Sequence, residues 1–121
     1  MYQIAKEFHF SASHIIEGLP DGHKCGRLHG HNYKVVLYLA SEKLNEIGFV
    51  IDFGDLKPFK DFINEEFDHK HLNDHPYFDN HPTTAEAIAY ALYEIATDLF
   101  GSIVAKVRVW ETDKAWGEYG K

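Results

Sequence analysis

Residues 2–14 have the sequence YQIAKEFHFSASH, in which most of the bulky side chains occupy even-numbered positions. Alternation with a period of two is typical of a strand that buries one face and exposes the other. The stretch therefore predicts a first strand whose buried face ends in a histidine. The residues on that face are Tyr2, Ile4, Phe8, Phe10, Ala12 and His14.

A second strand is predicted to begin near His31, because the apolar residues that follow share its odd-numbered parity. These residues are Tyr33, Val35, Leu37 and Leu39. The segment between the two strands, 15–28, holds three glycines and a proline, which are typical of a loop. We therefore expect an antiparallel hairpin with a long connection, and with histidines from both strands at the same end of the sheet.

The next predicted element is a helix from about Leu56 to Phe67, with Asp55 as its N-terminal cap. Four apolar residues in this stretch are spaced so that they share one helix face. They are Phe59, Phe62, Ile63 and Phe67.

A second helix is predicted from the spacing of Thr83 and Glu86, which matches a capping box. Gly101 is the expected end of this helix. Alternating residues then predict a strand over 103–111, and a short additional strand over 116–119.

Together these elements predict an α+β domain over residues 1–121, with an antiparallel four-stranded sheet and two helices packed on one face. A chain of 121 residues that is 45% hydrophobic fits one domain with one core. An open sheet has two exposed edges, which a closed homo-oligomer can pair.

Composition and charge argue against several classes of protein. No apolar run approaches the roughly 20 residues that span a bilayer, and residues 1–4 lead into a strand rather than a signal peptide. We therefore expect a cytoplasmic protein with no membrane partner. The net charge of -7 disfavours a nucleic-acid partner. The single cysteine excludes an internal disulfide.

Three histidines are candidate metal ligands. His29 and His31 are separated by one residue, so on an extended segment they point to the same face, about 6 to 7 Å apart. His14 ends the buried face of the preceding strand. A zinc ion held by three protein ligands keeps its fourth position open for water or substrate, which is typical of a catalytic site.

The segment 23–34 carries Lys24, Arg27, Lys34 and three histidines without an acidic residue. Two interpretations stay open at this point. The local positive charge suits an anionic substrate, or it belongs to an ordinary solvated loop.

Six motifs occur in an order that resembles the 6-pyruvoyltetrahydropterin synthase family. They are His14, Cys25-x-x-x-His29-Gly30-His31, Gly48-Phe49-Val50-Ile51-Asp52-Phe53, Phe67-Asp68-His69 followed by Leu72-Asn73, Pro82-Thr83-Thr84-Ala85-Glu86, and Trp110-Glu111-Thr112. The three residues between the cysteine and the first of the paired histidines resemble the bacterial branch, 6-carboxytetrahydropterin synthase. The other branch typically has a longer gap.

The resemblance implies a fold, a reaction and a cofactor. The fold is the tunnelling fold (T-fold), assembled as a homohexamer of two stacked trimers with active sites at subunit interfaces. The reaction is that of a lyase in queuosine biosynthesis, which converts 7,8-dihydroneopterin triphosphate to 6-carboxytetrahydropterin, acetaldehyde and triphosphate. The cofactor is one zinc ion per subunit, with His14, His29 and His31 as its ligands.

The resemblance also implies residue roles. Cys25 is the candidate base, because a thiolate is favoured beside zinc and cationic side chains. Asp68 and His69 form a second proton-transfer pair, for which a turn is a better setting than a regular strand. Glu111 suits the pterin ring, because a carboxylate accepts two parallel hydrogen bonds from an amidine-like edge. Thr112 and Thr84 are secondary ring contacts, although Thr84 is equally explained by its place at a helix start.

Two alternatives from different classes stay open. One is another enzyme of the same scaffold, making 6-pyruvoyltetrahydropterin or cleaving dihydroneopterin. The short gap after Cys25 counts against the former, and the presence of the cysteine counts against a branch with glutamate there. The other is a zinc- or pterin-binding module without turnover, against which the intact Cys25, Asp68 and His69 argue. The remaining histidines are expected to be surface or structural residues: His9, His23, His71, His75 and His81.

Overall fold

The first two strands, β1 (Tyr2–His14) and β2 (His29–Ser41), form the antiparallel hairpin on which the fold is built. The computed structural model describes residues 1–121 and pairs these strands from Tyr2 opposite Ser41 to His14 opposite His29. The predicted hairpin is confirmed. The second strand begins at His29, two residues earlier than predicted, because the pairing continues to the last residue of β1.

The remaining strands are β3 (Lys70–His71), β4 (Val104–Thr112) and β5 (Ala115–Gly120), and the order in the sheet is β3-β1-β2-β4-β5. The sheet therefore has five strands rather than the predicted four. β3 is the addition, and it runs parallel to β1 beside Ala12 and Ser13. A strand of two residues is too short to show alternation, so periodicity did not reveal it.

Two helices, α1 (Lys57–Glu66) and α2 (Ala85–Phe100), cover one face of the sheet. They share a single hydrophobic cluster with the even-numbered residues of β1 and the odd-numbered residues of β2. The predicted α+β layering is confirmed. The largest fully buried side chains of this cluster are Tyr33, Phe59, Phe67, Leu37, Leu39, Leu56, Ile63, Leu72, Ile88 and Leu92. No helix is long and apolar enough to cross a lipid bilayer.

Both predicted helix caps are wrong in detail. A 3₁₀ turn (Phe53–Leu56) precedes α1, and the Asp52 carboxylate, rather than that of Asp55, accepts a hydrogen bond from its first turn, at Gly54 N. The second cap is Thr84, one residue beyond the predicted Thr83, and its hydroxyl accepts from the N–H of Ala87. Thr83 instead donates to the Ile15 carbonyl, because the chain here crosses the end of β1.

The end of α2 is as predicted. Gly101 has φ of 74° and its N–H donates to the Thr97 carbonyl. This positive φ costs a glycine little, whereas it would strain the backbone of a residue with a side chain. A 3₁₀ turn (Gly101–Ile103) then leads into β4, which pairs with β2.

Candidate metal centre and active-site cleft

The three predicted metal ligands lie together at one end of the hairpin. His14 is directly opposite His29, and His31 is opposite Ala12, so all three imidazoles are on the face covered by the helices. Their ring centres are 4.4 Å (His14 and His29), 5.1 Å (His14 and His31) and 4.9 Å (His29 and His31) apart. One nitrogen from each ring lies within 4.8 Å of the others, which allows them to close on one ion.

Backbone carbonyls orient two of these rings. The Nδ1 of His14 lies 2.8 Å from the Thr83 carbonyl oxygen, and the Nδ1 of His29 lies 2.7 Å from that of Arg27. Each Nδ1–H therefore donates to a carbonyl, which leaves Nε2 with its lone pair free. Metal-binding histidines are normally held in this way by a second group.

Two ring nitrogens at the centre have no hydrogen-bond partner. The Nε2 atoms of His14 and His31 are buried and unpaired, and His14 is fully buried. An unpaired buried polar atom is costly unless a ligand satisfies it. Three imidazole donors, two of them with an orphaned nitrogen, fit a zinc ion, so the residues present match the cofactor that the sequence predicts.

The electrostatics of the centre favour neutral imidazoles, the form that binds metal. Burial lowers the pKa of His14, and the neighbouring His29 and His31 lower it further. Burial also lowers the pKa of His31, although the nearby carboxylate of Glu111 partly opposes this. These two ligands are therefore ready for a metal at neutral pH.

The side chain of Tyr33 packs against His14 and His31 from within the core. Its side chain is fully buried, its ring centre lies 5.4 Å from that of His31, and its hydroxyl lies 3.4 Å from His14 Nδ1. Burial, followed by the Glu111 charge, raises the pKa of Tyr33 above its usual range. Its hydroxyl therefore stays protonated at physiological pH.

A cleft of about 330 Å³ contains three of the predicted site residues, namely Cys25, Thr84 and Glu111. Cys25 belongs to a 3₁₀ turn (Lys24–Gly26) in the connection between β1 and β2, and its side chain is partly buried. Glu111 lies near the end of β4. The other residues that line the cleft are Ile16, Leu19, His23, Ala85, Glu86, Ala115 and Trp116.

The start of α2 forms one wall of this cleft. A glycine on β5 allows this strand and the start of α2 to lie close together. A Cβ atom at Gly117 would lie 3.1 Å from the backbone nitrogen of Glu86 and 3.3 Å from the carbonyl carbon of Ala85. Thr84 is thus both the helix cap and a cleft residue, as the sequence left open.

Asp68 and His69 are in contact, and they lie in a turn as predicted. His69 Nδ1 is 2.9 Å from Asp68 Oδ2, and His69 has φ of 58°. Such a conformation is rare for a residue with a side chain. The other Asp68 oxygen accepts from the N–H of Ser11 at 2.9 Å. This bond, and then the contact with His69, lowers the pKa of Asp68, although burial opposes the shift.

The pair does not share the cleft of Cys25 within one chain. His69 lines a different cavity of about 450 Å³, which lies mostly on the face of the sheet that the helices leave open and which His31 also lines. That cavity also contains Ser11, Ser13 and Asn32, which have the opposite parity to the core residues of their strands. The side chain of His69 is 82% exposed, so it is available to a neighbouring molecule.

Thr112 is also separate from the cleft. It lines a third cavity, together with Lys34 and Trp110, on the open face of the sheet. Within one chain, Thr112 therefore does not line the cleft that contains Glu111, where it was predicted to be a second contact to the pterin ring. Glu86 also lines the cleft and is not among the predicted site residues, although it belongs to the Thr83-Thr84-Ala85-Glu86 motif that indicated the start of α2.

Known proteins share these features. The family model "6-pyruvoyl tetrahydropterin synthase" matches residues 3–121. A 6-carboxy-5,6,7,8-tetrahydropterin synthase of Synechocystis is 40% identical, with 74% of this chain and 70% of the relative aligned. The human 6-pyruvoyl tetrahydrobiopterin synthase is 35% identical, with 92% of this chain and 86% of the relative aligned.

A solved structure agrees with the sequence relatives. The 6-pyruvoyl tetrahydropterin synthase of Caenorhabditis elegans superposes with a TM-score of 0.89 at 27% identity, covering 99% of this chain and 95% of that one. The predicted T-fold is confirmed by this likeness. From the family model, the relatives and the fold together, the chain belongs to the 6-pyruvoyl tetrahydropterin synthase family, a family of enzymes of pterin metabolism.

Proposed function

We propose that this protein is a zinc-dependent 6-carboxy-5,6,7,8-tetrahydropterin synthase. It would convert 7,8-dihydroneopterin triphosphate and one water to 6-carboxytetrahydropterin, acetaldehyde and triphosphate as a lyase in queuosine biosynthesis. The observation that carries the proposal is the shared environment of Cys25, Glu111 and the three histidines. Glu111 lines the same cleft as the thiol and reaches to 3.7 Å from the His31 ring.

His14, His29 and His31 would hold the zinc ion, one per subunit. When bound, zinc supplies a Lewis acid that binds the hydroxyl oxygens of the substrate side chain and eases the loss of nearby protons. The carbonyls of Thr83 and Arg27 keep the two Nδ1–H groups turned away from the ion. The protein therefore arranges its metal ligands before the substrate arrives.

Glu111 would fix the orientation of the pterin ring. Its carboxylate accepts from the ring N3–H and the 2-amino group, and two parallel bonds set both position and direction. Its side chain is 29% exposed, which leaves it accessible from the cleft. Thr84 stands in the same cleft, where its hydroxyl is partly engaged in capping α2.

Cys25 would act as the general base. Its thiolate would remove a proton from carbon on the substrate side chain, and the proton would then reside on sulfur. Proton transfer by a positioned group typically contributes two to four orders of magnitude in rate, so the geometry of the thiol matters. The loop around it contains Lys24 and Arg27, whose charges suit an anionic substrate.

Asp68 and His69 would enter the site from a neighbouring subunit. The Asp68 carboxylate, ionised at neutral pH, lies 2.9 Å from His69 Nδ1 and orients the imidazole. The exposed imidazole would then exchange protons with the substrate held by the other chain. This arrangement accounts for the two separate cavities.

The sheet supports such an assembly. β3 covers only Ala12 and Ser13 of β1, so the edge of β1 from residue 3 to 10 pairs with no strand, and β5 has a free outer edge. Exposed edges of this length pair readily with another chain. Joining unlike edges of successive copies makes a closed ring, which is consistent with the trimers of a homohexamer.

A cytoplasmic location suits an enzyme that needs a reduced thiol, because thiols stay reduced there.

The second candidate function is synthesis of 6-pyruvoyltetrahydropterin, favoured by the 35% identity to the human enzyme. The three-residue gap between Cys25 and His29 favours the 6-carboxy product.

Product analysis tests the proposal. The zinc-loaded protein is incubated with 7,8-dihydroneopterin triphosphate, and the products are identified by mass spectrometry, with acetaldehyde trapped as a hydrazone. We expect 6-carboxytetrahydropterin and acetaldehyde in equal amounts. A 6-pyruvoyl product without acetaldehyde would establish the second candidate, and binding of substrate without turnover would establish a binding module.

A further inference from the structure

His23 contacts the backbone of Cys25 directly. Its Nδ1 accepts a hydrogen bond from the Cys25 N–H at 3.0 Å, and His23 lies in the N-cap position of the 3₁₀ turn that carries the thiol. Nδ1 must be unprotonated to accept this bond, so the ring carries its proton on Nε2. His23 also lines the 330 Å³ cleft beside Cys25 and Glu111.

The chain uses the same contact elsewhere, with ordinary capping residues. Asp52 Oδ1 accepts from Gly54 N at 2.8 Å, and Asn45 Oδ1 accepts from Ile47 N at 3.0 Å. Both bonds join a side chain to the backbone nitrogen two residues later, as in an Asx turn. An asparagine at position 23 therefore suits the same geometry. His75 makes the equivalent bond to Tyr77 N at 3.1 Å, away from the cleft.

Both backbone polar groups of Cys25 make hydrogen bonds that hold the 3₁₀ turn. The Cys25 carbonyl accepts from the N–H of Ile16 at 3.0 Å, while His23 Nδ1 takes the N–H. The turn continues with the Gly26 N–H donating to the His23 carbonyl. Of these hydrogen bonds, only the one that His23 Nδ1 accepts involves a side chain, so a substitution at position 23 can remove it.

We propose that His23 is a positioning residue for Cys25. Its imidazole fixes the 3₁₀ turn so that the sulfur is held in the cleft facing the bound substrate. The inference rests on the proposed function, in which Cys25 is the base, and it goes beyond that function by giving a role to a histidine outside the metal centre. A residue acting in this way changes the turnover step more than substrate binding.

The test compares four proteins: wild type, His23→Ala, His23→Asn and His75→Ala. His23→Ala removes the acceptor, and His23→Asn restores one with the same spacing. His75→Ala removes the matched bond at a distant turn. For each protein, kcat and KM are measured with 7,8-dihydroneopterin triphosphate. The rate of alkylation of Cys25 by iodoacetamide is measured separately and needs no catalysis, since Cys25 is the only thiol.

We expect kcat of His23→Ala to fall about tenfold with KM within about twofold of wild type, because a displaced base slows the reaction without weakening binding. Its alkylation should be at least about threefold faster, because the partly buried thiol is less restrained. His23→Asn should return both values to within about threefold of wild type. His75→Ala should match wild type in both.

Two results would overturn the inference: wild-type alkylation and turnover in His23→Ala, or His23→Asn behaving like His23→Ala. Failure of the proposed function is recognised separately, because the wild-type protein would then give either no turnover or a 6-pyruvoyl product without acetaldehyde. The alkylation rates would still decide whether His23 restrains the thiol.

Discussion

The Nε2 atom of His31 lies 3.7 Å from Oε1 of Glu111, and this contact joins the histidine cluster to the cleft that contains Cys25. His31 belongs to β2 and Glu111 to β4, strands that are neighbours in the sheet. Their side chains meet because both lie on the helix-covered face. The carboxylate raises the pKa of His31 against the larger lowering effect of burial, so the two sites influence each other electrostatically.

The first prediction concerns zinc. Replacing both His29 and His31 by alanine should lower zinc content more than tenfold while the protein stays folded, because two of three ligands are lost. Metal content is measured by mass spectrometry after dialysis, and folding by circular dichroism. His9→Ala is the control, since His9 lies on β1 with the opposite parity to His14. Unchanged zinc content in the double variant would show that His29 and His31 are not zinc ligands.

The second prediction concerns the base. Cys25→Ala should bind zinc and a pterin normally and lose turnover by about two to four orders of magnitude. The measurement is product formation under single-turnover conditions, with zinc content determined on the same sample. Near-normal product formation would mean that the thiol is only a neighbour of the substrate.

The third prediction concerns pterin recognition. Glu111→Gln places an amide donor against the donors of the ring, so one hydrogen bond is lost and a repulsive contact appears. Loss of a charged hydrogen bond of this kind costs on the order of 2 to 5 kcal/mol, and affinity should fall at least about thirtyfold. Calorimetric titration with a non-reacting pterin measures this.

Two controls accompany the Glu111 substitution. Zinc content should be unaffected, because no metal ligand changes. Glu7→Gln on the open face, where Glu7 lies 3.9 Å from Lys34, should leave pterin affinity unchanged. Equal dissociation constants for wild type and Glu111→Gln would exclude Glu111 from ring recognition.

The fourth prediction concerns pH and Asp68. Its pKa in the folded protein lies below the ordinary value of 3.8, chiefly because the Ser11 N–H bonds the carboxylate. The resulting stability is present above pH 3.8 and is lost as the pH falls through the lower folded value. Asp68→Asn should therefore be less stable than wild type at pH 7 by about 1 kcal/mol, a figure reduced for partial exposure.

Urea unfolding at several pH values checks this. The difference between wild type and Asp68→Asn should be constant from pH 7 to 5 and shrink below pH 4. The exposed Asp98 supplies the control Asp98→Asn, whose effect should stay within about 0.5 kcal/mol. A difference that grows on acidification would contradict the lowered pKa of Asp68.

The fifth prediction concerns a site shared between subunits. Cys25→Ala and His69→Ala proteins should each be inactive, and mixed oligomers re-formed from both should regain activity. In a ring with random mixing, about one quarter of the interfaces join an intact Cys25 to an intact His69, so about a quarter of wild-type activity is expected. Native mass spectrometry verifies the mixing. Inactive mixed oligomers would mean that each active site takes Cys25 and His69 from the same chain, which would contradict a site shared between subunits.

The sequence predicted β1, β2 and both helices closely, since each is long and its side chains repeat with a clear period. It predicted the metal centre for the same reason, because strand parity alone places His14, His29 and His31 on one face. β3 escaped prediction because two residues carry no period. The helix caps were displaced by one to three residues because several polar side chains compete at each helix start, and the surrounding chain decides among them.

The sequence by itself thus determined what local periodicity and residue spacing encode: the hairpin, the helix-covered face and the convergence of three imidazoles. Only the tertiary structure decided which distant segments meet. It placed Cys25 and Glu111 in one cleft, the turn with Asp68 and His69 against Ser11 of β1, and Thr112 in a further cavity. Such long-range contacts depend on how the sheet and helices pack together, and no local sequence pattern predicts that packing.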